Sequence, residues 1–195
     1  MADSNDALNL ILTRRSIPAP FLADPGPNDE QLRTLLTAAM RVPDHGKLAP
    51  WRFVILNRAD RQTLAPKLRT MRAAADPSLN EQMLDKADEA LLAAPTTAIV
   101  ISTASEHPKI PLWEQELSVG ASTMSLIMAT HAMGFAAQWL TGWATTDPAA
   151  SQLLGAGEGE SVRAIVHIGT PTAPPAERPR PSIEDKVTMG LGAVA

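Results

Sequence analysis

Apolar and polar positions alternate along the chain in a mixture of helical and strand-like periods. From Asp6 to Arg14, Ala7, Leu8, Leu10 and Ile11 recur at helical spacing behind the possible caps Ser4, Asn5 and Asp6, and the run closes on two arginines, which predicts a short first helix. Asn28 with Gln31 three residues on is a capping-box pattern. Leu32, Leu35, Leu36, Ala39 and Met40 follow on one face and Pro43 stops them, which predicts a second helix. Trp51–Leu56 and Thr97–Ser102 read as strands, the second nearly all apolar and therefore more deeply buried. Weaker helical patterns occupy about 60–71 and 80–93 between them. From Glu114 to Met133, Gly120, Ala121, Ser122, Ser125, Ala129 and Ala132 interleave with large apolar residues on every side. This predicts a helix buried all round whose small residues permit close helix approach at the centre of a domain or a dimer. Gly134 closes it, and Phe135–Leu140 is a further strand. Asp147-Pro148 opens a short helix, Val162–Ile168 is the last strand, and Pro171–Pro181 reads as an extended, proline-rich arm.

Long helical connections before the central helix point to an α+β or mixed α/β fold rather than a regular alternation of strand and helix. No Gly-x-Gly-x-x-Gly follows the first strand, so a dinucleotide held in the doubly wound manner is not expected. The length of 195 residues suits a single domain, 1–195, with the arm starting at about 171. Charged residues are sparse at 19%, which leaves surface for a subunit interface to cover, and a net charge of -4 lacks the basic footprint of nucleic-acid binding. The absence of cysteine excludes disulfides, thiolate metal sites and a cysteine nucleophile, and the absence of tyrosine excludes a phenolic acid. The acidic start resembles no signal peptide and no apolar run reaches membrane-span length, so a soluble, cytoplasmic protein is expected. His45, His107, His131 and His167 form no i, i+4 pair, so no zinc site is expected, and His131 is expected as a satisfied core residue.

Several segments in order carry a resemblance: Arg14-Arg15-Ser16, Met40-Arg41-Val42-Pro43-Asp44-His45, Pro50-Trp51-Arg52-Phe53, Trp113-Glu114-Gln115-Glu116, Gly134-Phe135 with Trp139, and Gly169-Thr170-Pro171. In this order and spacing, over roughly residues 6–170, the chain resembles the nitroreductase superfamily and its compact YdjA-like branch. The resemblance implies an α+β nitroreductase fold with a central, mostly antiparallel sheet flanked by helices. It also implies a homodimer with FMN at the subunit interface and NAD(P)H as reductant.

FMN carries a dianionic phosphate, a polyhydroxyl chain and a flat ring system, so its site needs cations, small hydrogen-bonding groups and an apolar slot. Arg14 and Arg15 suit a phosphate clamp with Ser16 as a hydroxyl donor, although two arginines also complement a helix end. The resemblance makes Arg41 and His45 flavin contacts and places Trp139, Leu140 and Thr141 along the cofactor. It also suggests that a basic residue of the arm, Arg180 with Arg178 nearby, returns to the phosphate. Two departures stand out. Many members carry Pro-Ser-x-x-Asn-x-Gln-Pro-Trp where this chain has Pro43-Asp44-His45-Gly46-Lys47-Leu48-Ala49-Pro50-Trp51, so Lys47 replaces the asparagine, and Leu140 stands where the branch often has arginine. The implied activity is two-electron hydride reduction of nitroaromatic or quinone-like acceptors by a ping-pong mechanism, with no catalytic acid or base required of the protein. The alternatives are a flavin-binding or storage protein with little turnover, and a superfamily relative acting on a special metabolite.

Overall fold

The computed structural model describes residues 4–190. Five strands build the sheet: β1 (Leu22–Ala23), β2 (Trp51–Leu56), β3 (Thr96–Ser102), β4 (Ala136–Leu140) and β5 (Ser161–Pro171). Every pairing is antiparallel. β2 lies on β3 with Trp51 opposite Ser102, and β3 lies on β5 with Thr96 opposite Ile168. Residues Ile165–Ile168 of β5 are paired on both edges, with β3 on one and β4 on the other, so β2 and β4 are the outer strands there. β1 pairs only with the last residues of β5. The strands that read as continuous apolar runs are those covered on both faces, and the two faces take alternate residues of each. Ala98 and Val100 of β3 face one apolar cluster, while Ile99 and Ile101 face the other.

The first cluster lies under α2 (Asp29–Ala39) and α5 (Leu112–Ala132), and the second under α3 (Arg58–Ala75) and α7 (Pro148–Leu153). α1 (Ser4–Thr13) packs on α5, α4 (Glu81–Ala93) packs on α3, and α6 (Trp143–Thr146) leads into α7. The capping box at Asn28 and Gln31 forms in both directions. α3 begins earlier and ends later than its apolar periodicity indicates. Asn57 caps it by accepting from the Asp60 N–H, while the Asp60 carboxylate accepts from the Asn57 N–H.

α5 is tied to α2 by its small polar residues. Ser122 and Ser125 donate to the carbonyls of Ala39 and Ala38, at 2.8 Å each, and Ser118 donates to that of Pro43. The first two bonds tie α5 to the C-terminal end of α2, and the third ties it to the loop that follows. Within one chain α5 is not buried all round. Trp113 and Leu117 are 64% and 65% exposed, and half-buried Gly120, Ala121, Met124 and Met128 continue the same face. Beside it, Leu8, Ile11 and Leu12 of α1 are also exposed. The expectation of all-round burial counted apolar residues, and the chain by itself leaves one apolar face of α5 uncovered.

Candidate functional site

The segment after α1 is stitched to the edge of the sheet. The Ile17 N–H donates to the Ala137 carbonyl, and the Ala19 N–H to Oε1 of Gln138, placing Arg14 and Arg15 beside the start of β4. Arg14 is half-buried, and its Nε is buried without a hydrogen-bond partner. Its guanidinium is held below the usual arginine range first by desolvation, then by the positive charges of Arg180, Arg15 and Arg178. The end of α1 and the C-terminal arm therefore bring four arginines to one place. Arg15 is turned to the arm, where Nη1 donates to Glu177 Oε1 at 3.1 Å and to the Ala176 carbonyl. Ser16 is exposed at the rim. One carboxylate against four guanidinium groups leaves net positive charge, which suits a multiply charged anion.

His131, near the end of α5, departs from the expectation of a satisfied core residue. Its Nε2 is buried and has no partner. Burial first, and the charge of Arg14 second, lower its pKa to about 4 and keep the ring neutral. Helical spacing predicted where this histidine sits and carried no information on whether its nitrogens are met.

A second group lies in the loop between α2 and β2. Asp44 accepts from the N–H groups of Leu48 and Ala49, which curls the loop tightly. Gly46, Lys47 and Ala49 all have left-handed backbone, with φ of 71°, 56° and 47°. At Gly46 a Cβ would also stand 2.4 Å from Cδ1 of Ile110, so glycine is favoured there both by its backbone and by the space. Two non-glycine residues held in this region mark a locally strained loop of the kind that functional sites retain. Arg41 is exposed ahead of it. His45 is held at Nδ1 by Oε1 of Glu114 at 2.8 Å, an interaction that no sequence spacing announced. Glu114 stands in the first turn of α5 beside two other anchored residues. Gln115 donates to the carbonyls of Ser105 and Ile110, and Glu116 accepts from Ser102 and Arg163.

At the end of β4, Trp139 is 38% exposed, whereas Leu140 and Thr141 line a cavity on the α3 and α4 side of the sheet. Of the residues singled out in the sequence, Arg14, Arg15 and Arg180 are thus gathered together, and Arg178 joins them. Arg41 and His45 sit on the strained loop, with no hydrogen bond or ion pair to the arginine cluster among the described residues. Leu140 and Thr141 mark a third location. Among the described residues no group of three or more candidate ligands could hold a metal ion, and no helix is long and apolar enough to cross a membrane.

An antiparallel sheet covered by helices on both faces, with this strand order, is the α+β nitroreductase fold. A structure described as a nitroreductase-like family protein from Bacillus cereus superposes with a TM-score of 0.81 at 21% identity, covering 98% of this chain and 100% of that one. A structure described as "a putative nitroreductase in complex with FMN" from Desulfovibrio desulfuricans superposes with a TM-score of 0.73 at 20% identity, covering 97% of this chain and 99% of that one. The chain belongs to the nitroreductase family, whose profile it matches across residues 11–170. It is 36% identical over 166 residues to the Escherichia coli K12 protein named "Putative NAD(P)H nitroreductase YdjA", covering 85% of this chain and 88% of that protein. It is 37% identical over 166 residues to a Haemophilus influenzae protein named "Putative NAD(P)H nitroreductase", with the same coverage.

Proposed function

We propose that this chain is a single-domain, cytoplasmic, homodimeric FMN-dependent NAD(P)H oxidoreductase that reduces nitroaromatic or quinone-like acceptors by two electrons. The observation that carries this reading is the four-arginine cluster around the buried, unpartnered Arg14 Nε. A phosphate dianion fits it, because phosphate oxygens give that donor an acceptor and neutralise charges that now repel one another. Arg14, Arg15, Ser16, Arg178 and Arg180 would hold the phosphate, while Arg41, His45 and the Trp139–Thr141 strand end would meet the rest of the cofactor. Bound FMN would supply the hydride chemistry. The chain's own part is placement, positive charge and exclusion of water. Glu114 occupies Nδ1 of His45, leaving Nε2 as the ring nitrogen available to a ligand.

Self-association is supported by the exposed apolar stripe on α5 with the neighbouring exposed leucines and isoleucine of α1, a surface larger than scattered apolar residues require. The names of the Escherichia coli and Haemophilus influenzae relatives support nicotinamide as reductant, and the FMN-bound Desulfovibrio structure supports the cofactor. Titrating cofactor-free protein with FMN, followed by flavin fluorescence, tests the reading: saturation at one FMN per chain is expected. No saturable binding at micromolar concentration overturns it.

A further inference from the structure

Among the described residues, the buried side-chain polar atoms left without a hydrogen-bond partner are Nε of Arg14 and Nε2 of His131. They come from two elements that meet. Arg14 directly follows α1, His131 stands in the last turn of α5, and α1 packs on α5. The charge of Arg14 reaches the His131 ring, where it ranks second to burial in disfavouring protonation, so the two side chains share one corner of the fold. A buried polar group left unmet costs about 1–3 kcal/mol, and an unmet atom on each of two neighbouring side chains calls for a common cause.

Both atoms lack the same thing. Nε of an arginine can only donate, and a neutral histidine donates from Nε2 in one of its two tautomers, so a single acceptor placed between them would satisfy both. The carboxylate of this corner is already engaged, because Glu177 accepts from Arg15 Nη1 at 3.1 Å and from the Arg178 N–H at 2.8 Å. The missing acceptor must also suit the positive charges of Arg15, Arg178 and Arg180 around Arg14. A phosphate monoester meets these demands, with nearly two negative charges and three acceptor oxygens. With its pKa lowered to about 4, the His131 ring brings a donor to that anion without adding a fifth positive charge to four that repel one another.

We propose that His131 is a further ligand of the phosphate, its Nε2–H donating to the same anion that accepts from Arg14 Nε. Its part is to favour a phosphorylated ligand over the same ligand without phosphate. That the phosphate belongs to FMN rests on the function proposed above; the anion contact itself does not.

The test is calorimetric titration of the purified protein with FMN, with riboflavin and with inorganic phosphate. His131→Leu, which keeps an apolar side chain in the half-buried position, should weaken FMN binding about tenfold or more, the loss expected for one hydrogen bond to a charged group, and leave riboflavin affinity as it was. His131→Gln, whose amide N–H still donates, should recover most of that loss, an outcome that a merely space-filling histidine would not give. Unchanged FMN affinity in folded His131→Leu, an equal loss for riboflavin, or weakened self-association with FMN affinity intact overturns the assignment. Should the variants fail to fold, the ¹⁵N spectrum of the wild-type histidines decides: FMN or phosphate should shift the His131 Nε2 signal to that of a protonated, hydrogen-bonded nitrogen, and a signal that stays in place refutes the contact. If inorganic phosphate moves that signal but FMN shows no saturable binding, the anion site stands and the flavin reading falls.

Discussion

The two faces of the sheet are packed to different ends. On the α2 and α5 side, Leu35, Val119, Leu126, Ala164 and Val166 close a filled cluster, and the serines of α5 bond the end of α2. On the α3 and α4 side, the second cluster leaves a cavity of about 230 Å³, and at its rim the upper helices are joined by the ion pairs of Arg69 with Glu81 and Asp88. The filled face holds α5 rigidly and turns its remaining apolar stripe outward. The other face keeps a space that apolar packing alone would tend to fill. One sheet thus supports a scaffold on one side and a cleft on the other.

The strongest way to break this contrast is to truncate one leucine on each side. Leu126→Ala, on the filled face, should cost about 4 kcal/mol of stability, since the structure around it has no room to adjust. Leu84→Ala, beside an existing void, should cost about 2 kcal/mol, near the lower limit for such changes. Urea unfolding midpoints measure both, and equal or reversed losses would erase the distinction. Acid should expose the cleft face next. The folded-state pKa of His167 lies below its ordinary value of 6.5, at about 4, so the unfolded chain binds the extra proton between those values. Stability is then fully present above pH 6.5 and declines as pH falls toward 4, by about 3 kcal/mol from this group. His167→Gln should remove about half of the acid slope between those values, whatever its cost at neutral pH, because His131 on the other face is also held at about 4 and supplies a like share.

Much of this architecture was legible from local chemistry. Asn28 and Gln31 announce the start of α2, and the apolar runs of β2 and β3 lie where the structure has them. The start of α3 was harder to place because its capping partner is Asp60, one side-chain carbon shorter than the usual glutamate or glutamine. β1, at two residues, is too short to show any period. In the site, Arg14 and Arg15 were visible as a motif, and Arg180 was suspected through the resemblance. The contact between the arm and Arg15 spans 161 positions and has no local signature. Glu114 belongs to one of the segments that carry the resemblance, yet its bond to His45 depends on how α5 meets the α2–β2 loop. The cavity was invisible because six elements or their ends each contribute one or a few ordinary apolar residues.

Smaller effects sharpen the account. Arg14→Ala should weaken FMN binding by about 1.5–3 kcal/mol, tenfold or more in affinity, because it removes a charge-assisted donor to the phosphate. Arg15→Ala should follow in the same direction with a smaller loss, since Glu177 already offsets part of its charge. Flavin-fluorescence titration measures both, and unchanged affinity in Arg14→Ala counts against the clamp. At the low end, Asn28→Ala removes the α2 cap and should cost about 1 kcal/mol without altering FMN affinity.

The most direct measurement is anaerobic titration of the FMN-loaded protein with NADH and with NADPH, followed by addition of nitrobenzene or a benzoquinone. The account predicts that the flavin absorbance near its visible maximum bleaches with one equivalent of at least one nicotinamide and returns when the acceptor is added. A bound flavin that neither nicotinamide bleaches would contradict it and make the chain a flavin carrier instead of an oxidoreductase.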